Sequence, residues 1–194
     1  MTLFEILLLG LALSADAFSV TISNTFVYAN ERRRRLLLMP VFFGAFQALM
    51  PLLGYFLGGV AASFIEKYAG IVTLLILGVI GGNMVREGIG ALRAAKRGEA
   101  DEVAAARADQ HLTIGTLVFQ AIATAIDAFA VGVSLRAQNV NLILSVSVIG
   151  ITTAVCCVIA IFLGKKLGRL LGDRAEVVGG LVLIGIGVKA FLGL

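Results

Sequence analysis

Two carboxylates stand in matched settings inside apolar runs. Asp16 lies in Leu13-Ser14-Ala15-Asp16-Ala17-Phe18-Ser19-Val20, and Asp127 in Thr124-Ala125-Ile126-Asp127-Ala128-Phe129-Ala130-Val131. A charge at the centre of a bilayer costs at least about 2.5–3.5 kcal/mol on insertion scales. A chain that accepts this cost twice, in equivalent positions, is expected to use the groups. At helical spacing Ser19 and Ser23 share the face of Asp16, and Gln120, Thr124 and Ser134 share the face of Asp127. Gln47 stands one turn before Pro51, which cannot donate a helix hydrogen bond and so leaves a carbonyl near Gln47 free. Freed backbone at membrane depth must be satisfied by protein or by a cavity. Asp16, Asp127, Gln47, Ser19 and Thr124 therefore form a candidate metal site. Carboxylate, hydroxyl and amide oxygens suit hard cations such as Mg, Ca and Mn. No histidine falls in an apolar span, which argues against a zinc- or copper-type centre. Two aspartates balance one divalent cation and offer protonatable positions when it leaves, so the pair is chemically compatible with cation/proton exchange.

Such a pair needs elements that hold it inside a membrane, and the composition supplies them. The chain has 194 residues, of which 59% are hydrophobic and 14% charged, with a mean hydropathy of +1.01. Soluble domains carry roughly 25% charged residues, so an integral membrane protein is expected. Its 23 glycines fit close helix packing in lipid. The net charge of +4 does not point to nucleic acid, because the basic residues fall in short segments between spans. Cys156 and Cys157 are adjacent within an apolar run and read as small core residues rather than a disulfide framework. No cleavable leader is expected, since the first apolar run lacks a basic start and continues past Asp16.

Six spans are expected, at about 3–24, 36–65, 70–85 (with an extension toward 92), 114–135, 140–163 and 177–194. The second should be kinked or loosened by Pro40, Pro51, Gly54 and Gly58. Of the 16 basic residues, all but Lys67, Arg136 and Lys189 follow spans one, three and five. The positive-inside rule then places both termini outside and the odd-numbered loops in the cytoplasm. Lys189 is expected to snorkel to the outer interface, and His111 reads as a loop residue rather than a ligand.

An internal repeat organises the spans. One offset aligns Asp16 with Asp127, Phe18 with Phe129, Val20 with Val131 and Ser23 with Ser134. An offset one residue shorter aligns Gly54 with Gly164, Gly58 with Gly168, Glu66 with Glu176 and Gly70 with Gly180. The expected fold is an all-α membrane protein of six transmembrane helices, built as two inverted three-helix repeats. Residues 1–92 and 112–194 form the repeats, and 93–111 form a cytoplasmic linker. An odd number of spans per unit inverts the second copy, an arrangement that recurs in secondary transporters with the site at the repeat interface. Glu66 and Glu176 open spans three and six, where a negative residue suits the helix dipole. Asn83, Arg86 and Glu87 cluster near the far end of span three.

The chain resembles the bacterial manganese efflux pump family of MntP-type exporters. The resemblance is carried by Ser14-Ala15-Asp16-Ala17-Phe18, by 43–54 (FGAFQALMPLLG), by 81–88 (GGNMVREG), by 123–133 (ATAIDAFAVGV) and most closely by 175–187 (AEVVGGLVLIGIG). It implies a six-helix inner-membrane protein that exports Mn2+ from the cytoplasm, with Asp16 and Asp127 as the intramembrane acids. It also implies supporting or gating roles for Glu87 and Glu176, in matching acidic motifs, to which Asn83 and Ser134 are added. Mn2+ is then substrate rather than cofactor, and the chain is a transporter and not an enzyme. Nothing in the sequence sets an oligomeric state. Two alternatives accompany this reading. One is export of another divalent cation or a small solute. The other is an intramembrane aspartyl hydrolase, which the Ala125-Ile126 preceding Asp127 disfavours, because such enzymes resembling presenilin carry Gly-x-Gly-Asp there.

Overall fold

The computed structural model describes residues 2–28, 31–58, 60–97, 111–137, 140–171 and 174–192. Among them the chain is helical and contains no strand. The elements are α1 (Leu3–Val27), α2 (Arg33–Leu36), α3 (Leu38–Leu57), α4 (Val60–Arg97), α5 (Ile114–Ala137), α6 (Leu142–Leu171) and α7 (Ala175–Leu192). Among the described residues, five stretches are long and apolar enough to cross a membrane: Leu3–Val27, Arg34–Leu57, Gly70–Arg93, Ile114–Arg136 and Leu142–Gly168. A shorter apolar stretch, Val177–Leu192, lies in α7. The 18 residues of α7 extend about 27 Å at 1.5 Å per residue, close to the thickness of a hydrocarbon core. The chain is a multi-pass membrane protein.

Local chemistry sets the helix starts. Thr2 and Glu5 form a reciprocal capping box at α1: Thr2 N–H donates to Glu5 Oε2 at 2.7 Å, and Glu5 N–H donates to Thr2 Oγ1 at 3.3 Å. Thr113 Oγ1 accepts from Thr116 N–H ahead of α5, and Asn141 Oδ1 accepts from Leu144 N–H ahead of α6.

Several boundaries differ from the sequence expectation. The second span ends at Leu57 rather than near residue 65, because Gly58 adopts φ 29°, a backbone that favours glycine, and turns the chain. Helix α4, which carries the third span, begins at Val60 and runs 38 residues to Arg97 without a break. It therefore absorbs the first residues of the expected 93–111 linker, of which 98–110 lie outside the described residues. Similarly, α6 continues beyond residue 163 to Leu171 and carries Lys165 and Lys166 on its extension. These charges sit on the helix rather than in a loop.

Polar side chains are buried within the bundle, and large apolar ones cover its outside. Ser14, Thr21, Ser23, Asn24, Gln47, Thr73, Gln120, Thr124, Ser145 and Thr153 are buried, while Phe4, Phe56, Phe119, Ile143, Phe162 and Phe191 are exposed. In water this arrangement would be costly. In lipid the exposed apolar belt is solvated, and buried polar groups find partners on neighbouring helices. An apolar core of Ala17, Val20, Met39, Phe43, Leu77, Leu117, Cys157 and Leu183 fills the centre.

Helix pairs approach until backbones touch. A methyl group on Gly44 would lie 2.8 Å from Gly150 O, and one on Gly150 would lie 2.8 Å from Gly44 O, so α3 and α6 cross there. Gly81 and Gly180 make the same mutual contact between α4 and α7. Gly54 lies against Phe129 O, and Gly132 against Pro51 O, joining α3 to α5. Gly164 lies against Thr25, joining α6 to α1. The ends of α1, α4 and α6 and the start of α5 gather at one end of the bundle: Leu112 N–H donates to Glu31 Oε2 at 3.1 Å, and Gly168 meets Phe26.

Candidate functional site

Asp16 and Asp127 occupy the middles of α1 and α5. Their carboxylates lie within electrostatic range of each other, and both lie within range of Lys189 on α7. The fold thus brings together the two acids that the repeat singled out. Asp16 is half-buried and Asp127 is exposed. Asp127 Oδ1 accepts from Ala128 N–H at 2.8 Å.

Gln47 is fully buried, and its Nε2 donates to Leu13 O at 3.1 Å, in the turn that precedes Asp16. Its Oε1 is buried and, among the described residues, has no hydrogen-bond partner. An orphaned carbonyl oxygen in the interior is costly unless something completes it, and a cation would. Pro51 lies inside α3 and cannot donate to the Gln47 carbonyl. Thr73 Oγ1 donates to Ala123 O at 3.2 Å, which ties α4 to the turn before Asp127. Thr73 was missed in the sequence because a lone hydroxyl in an apolar helix carries no spacing signal.

The hydroxyls behave as intramembrane Ser and Thr commonly do. Ser19 Oγ donates to Ala15 O, Ser23 Oγ to Ser19 O, Thr124 Oγ1 to Gln120 O and Ala121 O, and Ser134 Oγ to Ala130 O. Their protons are occupied, but each oxygen keeps lone pairs that can face a cation.

Asn83 and Glu87 stand elsewhere. With Asn24, Val27, Tyr28, Ile80, Met84, His111 and Thr116 they line a separate cavity of about 270 Å3 at the end of the bundle where α1 finishes and α5 begins. Neither aspartate lines it. Between this cavity and the aspartates lies a buried amide pair. Asn24 Nδ2 donates to Gln120 Oε1 at 2.7 Å, and Gln120 Nε2 donates to Asn24 Oδ1 at 3.0 Å. Asn24 follows Asp16 by about two helical turns, and Gln120 precedes Asp127 by about two. The spacing of Asn24 from Asp16 places it near the same helical face, a signal that was available in the sequence. Glu66 and Glu176 are on α4 and α7, but their side chains lie outside the described residues. Among the described residues, no three His, Cys, Asp or Glu side chains cluster as a metal centre.

Glu31 fastens the cavity end. Its side chain is only 4% exposed. It accepts from Leu112 N–H, Arg32 N–H and Arg35, and it meets His111 Nδ1 at 3.3 Å. Burial alone would raise its pKa. The hydrogen bonds from Leu112, Arg32 and His111 and the charge of Arg35 outweigh that and hold it below the ordinary value.

The chain matches the family model described as "Putative manganese efflux pump" over residues 30–191. It is 43% identical to a protein of Ruminiclostridium cellulolyticum that bears this description with the designation MntP, over 99% of this chain and 96% of that one. It is 38% identical to a protein so named from Methanosphaera stadtmanae, over 98% and 99% of the two chains. A third, from Clostridium perfringens, is 33% identical over 99% and 95%. No solved structure matches the chain. With the match extending from the α1–α2 turn to the end of α7, and full-length relatives of the same description, the chain belongs to the manganese efflux pump family, a family of transporters rather than enzymes.

Proposed function

We propose that this protein exports Mn2+ across the cytoplasmic membrane as a secondary transporter working by alternating access, and that Asp16 and Asp127 bind the ion. The observation that carries the reading is the convergence of two mid-membrane carboxylates from α1 and α5, with the unpartnered Gln47 Oε1 held beside the turn before Asp16. Gln47, Ser19 and Thr124 complete or support the oxygen shell. Hard oxygen donors match Mn2+, and the relatives' names supply the metal's identity. When the ion departs, protons or Lys189 can compensate the carboxylates, which makes proton exchange the natural coupling.

Two inverted repeats form the machine. Exchanging the halves carries the α1–α6 contact onto α5–α3 and the α1–α7 contact onto α5–α4, while α3–α6 and α4–α7 map onto themselves. Gly164 against Thr25 then corresponds to Gly58 against Arg136. This packing supports the repeat reading, with Gly58 rather than Gly54 equivalent to Gly164, one helical turn from the alignment read in the sequence. Arg32, Arg34, Arg35, Arg86, Arg93, Lys165 and Lys166 belong to the same end of the bundle, which supports placing that end in the cytoplasm and both termini outside. Rocking of one half against the other would expose the aspartates alternately.

The test is cellular manganese under manganese stress. Asp16→Asn and Asp127→Asn cells should accumulate the metal as cells lacking the protein do. Normal export by both variants at equal protein level would refute the assignment of the pair.

A further inference from the structure

The cavity between α1, α4 and α5 has a chemistry of its own. Its polar lining comprises Asn24, Tyr28, Asn83, Glu87, His111 and Thr116. His111, Asn83 and Glu87 are exposed, so solvent reaches it from the end of the bundle. His111 is held in an informative way. Its Nδ1 lies 3.3 Å from Glu31 Oε2, and the Glu31 carboxylate is itself fixed by Leu112 N–H. A carboxylate that accepts a hydrogen bond from Nδ1–H favours that tautomer and leaves the Nε2 lone pair available. Metal-binding histidines are oriented by such a carboxylate on the opposite ring nitrogen. Among the described residues no hydrogen bond engages Nε2.

Glu87 lines the same cavity, with Asn83 one turn before it on α4. One carboxylate, carboxamide oxygens and one oriented imidazole make a mixed oxygen–nitrogen donor set. Such a set takes divalent first-row ions, and it differs from the all-oxygen environment of the aspartates. Asn24 belongs to both regions, lining the cavity while pairing with Gln120 toward Asp16 and Asp127.

We propose that this cavity is a second divalent-cation site, in which His111 Nε2 and the Glu87 carboxylate, assisted by Asn83, hold the ion before it passes the Asn24–Gln120 pair to the aspartates. The proposal rests on the reading of the chain as a Mn2+ exporter. It gives the histidine a ligand's task and makes Glu31 a positioning residue for it.

The experiment uses the full-length, tag-free protein in detergent, with Mn2+ alone as probe. Asp16→Asn/Asp127→Asn removes the intramembrane acids. This double variant should still bind Mn2+, and pulsed electron paramagnetic resonance should show nitrogen modulation from one imidazole. Adding His111→Gln should abolish the modulation and weaken binding at least tenfold. Adding Glu87→Gln should weaken binding while the modulation persists at saturating metal. Absence of Mn2+ binding by the Asp16→Asn/Asp127→Asn protein, or binding without nitrogen modulation, overturns the second site. If the wild type still exports Mn2+ in vesicles, the transport reading stands despite that result. If wild-type vesicles move no Mn2+ and the wild-type protein binds none, both fall.

Discussion

Replacing Asn24 and Gln120 by leucine, singly and together, tests the internal architecture most directly. The two carboxamides exchange two hydrogen bonds, at 2.7 and 3.0 Å, and are 1% and 0% exposed. Interhelical hydrogen bonds in membranes average about 0.6 kcal/mol, so losing both costs roughly 1 kcal/mol. Asn24→Leu also leaves a carboxamide of Gln120 buried without its partner, which adds about 1–3 kcal/mol. Each single variant should therefore be destabilised by roughly 2–4 kcal/mol. The double variant strands no polar group and should lose only roughly 1 kcal/mol, so the same figures give a coupling of about 3–7 kcal/mol. Unfolding of the purified proteins in detergent measures the cycle. Export separates stability from function. The double variant should be folded yet should not export, because leucines replace the polar step between the cavity and the aspartates. Single variants within 0.5 kcal/mol of wild type (roughly the noise of additivity), with purely additive effects, would refute the paired-amide reasoning. Normal export by a folded double variant would refute the placement of the ion's path.

Two further outcomes follow from packing and from charge. A methyl group on Gly132 would fall on the Pro51 carbonyl and 2.6 Å from Pro51 Cα. Gly132→Ala should therefore push α5 from α3 and lower stability by about 1–3 kcal/mol, whereas Gly82→Ala, with nothing within 4 Å, should be neutral or stabilising in the same thermal unfolding series. Glu31 has a lowered pKa in the folded protein, so its stabilisation is present above its ordinary value of 4.5 and is lost as pH falls through the lower folded value. Glu31→Gln should be less stable than wild type at pH 7, and the gap should close in acid below that window. An unchanged gap throughout would show that the carboxylate's charge is not what fastens the α1 end to α5.

Much of this protein is written along the chain. Hydropathy alone determines that the helices live in lipid, because a polar exterior would require charges that the spans do not contain. The matched Asp-Ala-Phe segments single out Asp16 and Asp127 as candidates without any coordinates, since an intramembrane carboxylate carries a large insertion cost. Capping chemistry marks the starts of α1, α5 and α6. Other features depend on where distant segments meet. The break at Gly58, where the backbone takes a positive φ, and the unbroken run of α4 to Arg97 lie beyond what hydropathy marks. Lys189 lies far along the chain from both aspartates and joins them only through the packing of α7 on α1. His111 reads as a loop residue until Glu31, eighty residues earlier, is folded against its ring. The spacing of apolar and small residues determines which faces can touch, but only the assembled bundle decides which polar side chains then face each other. Their energies depend on partners, distances and burial rather than on residue type alone.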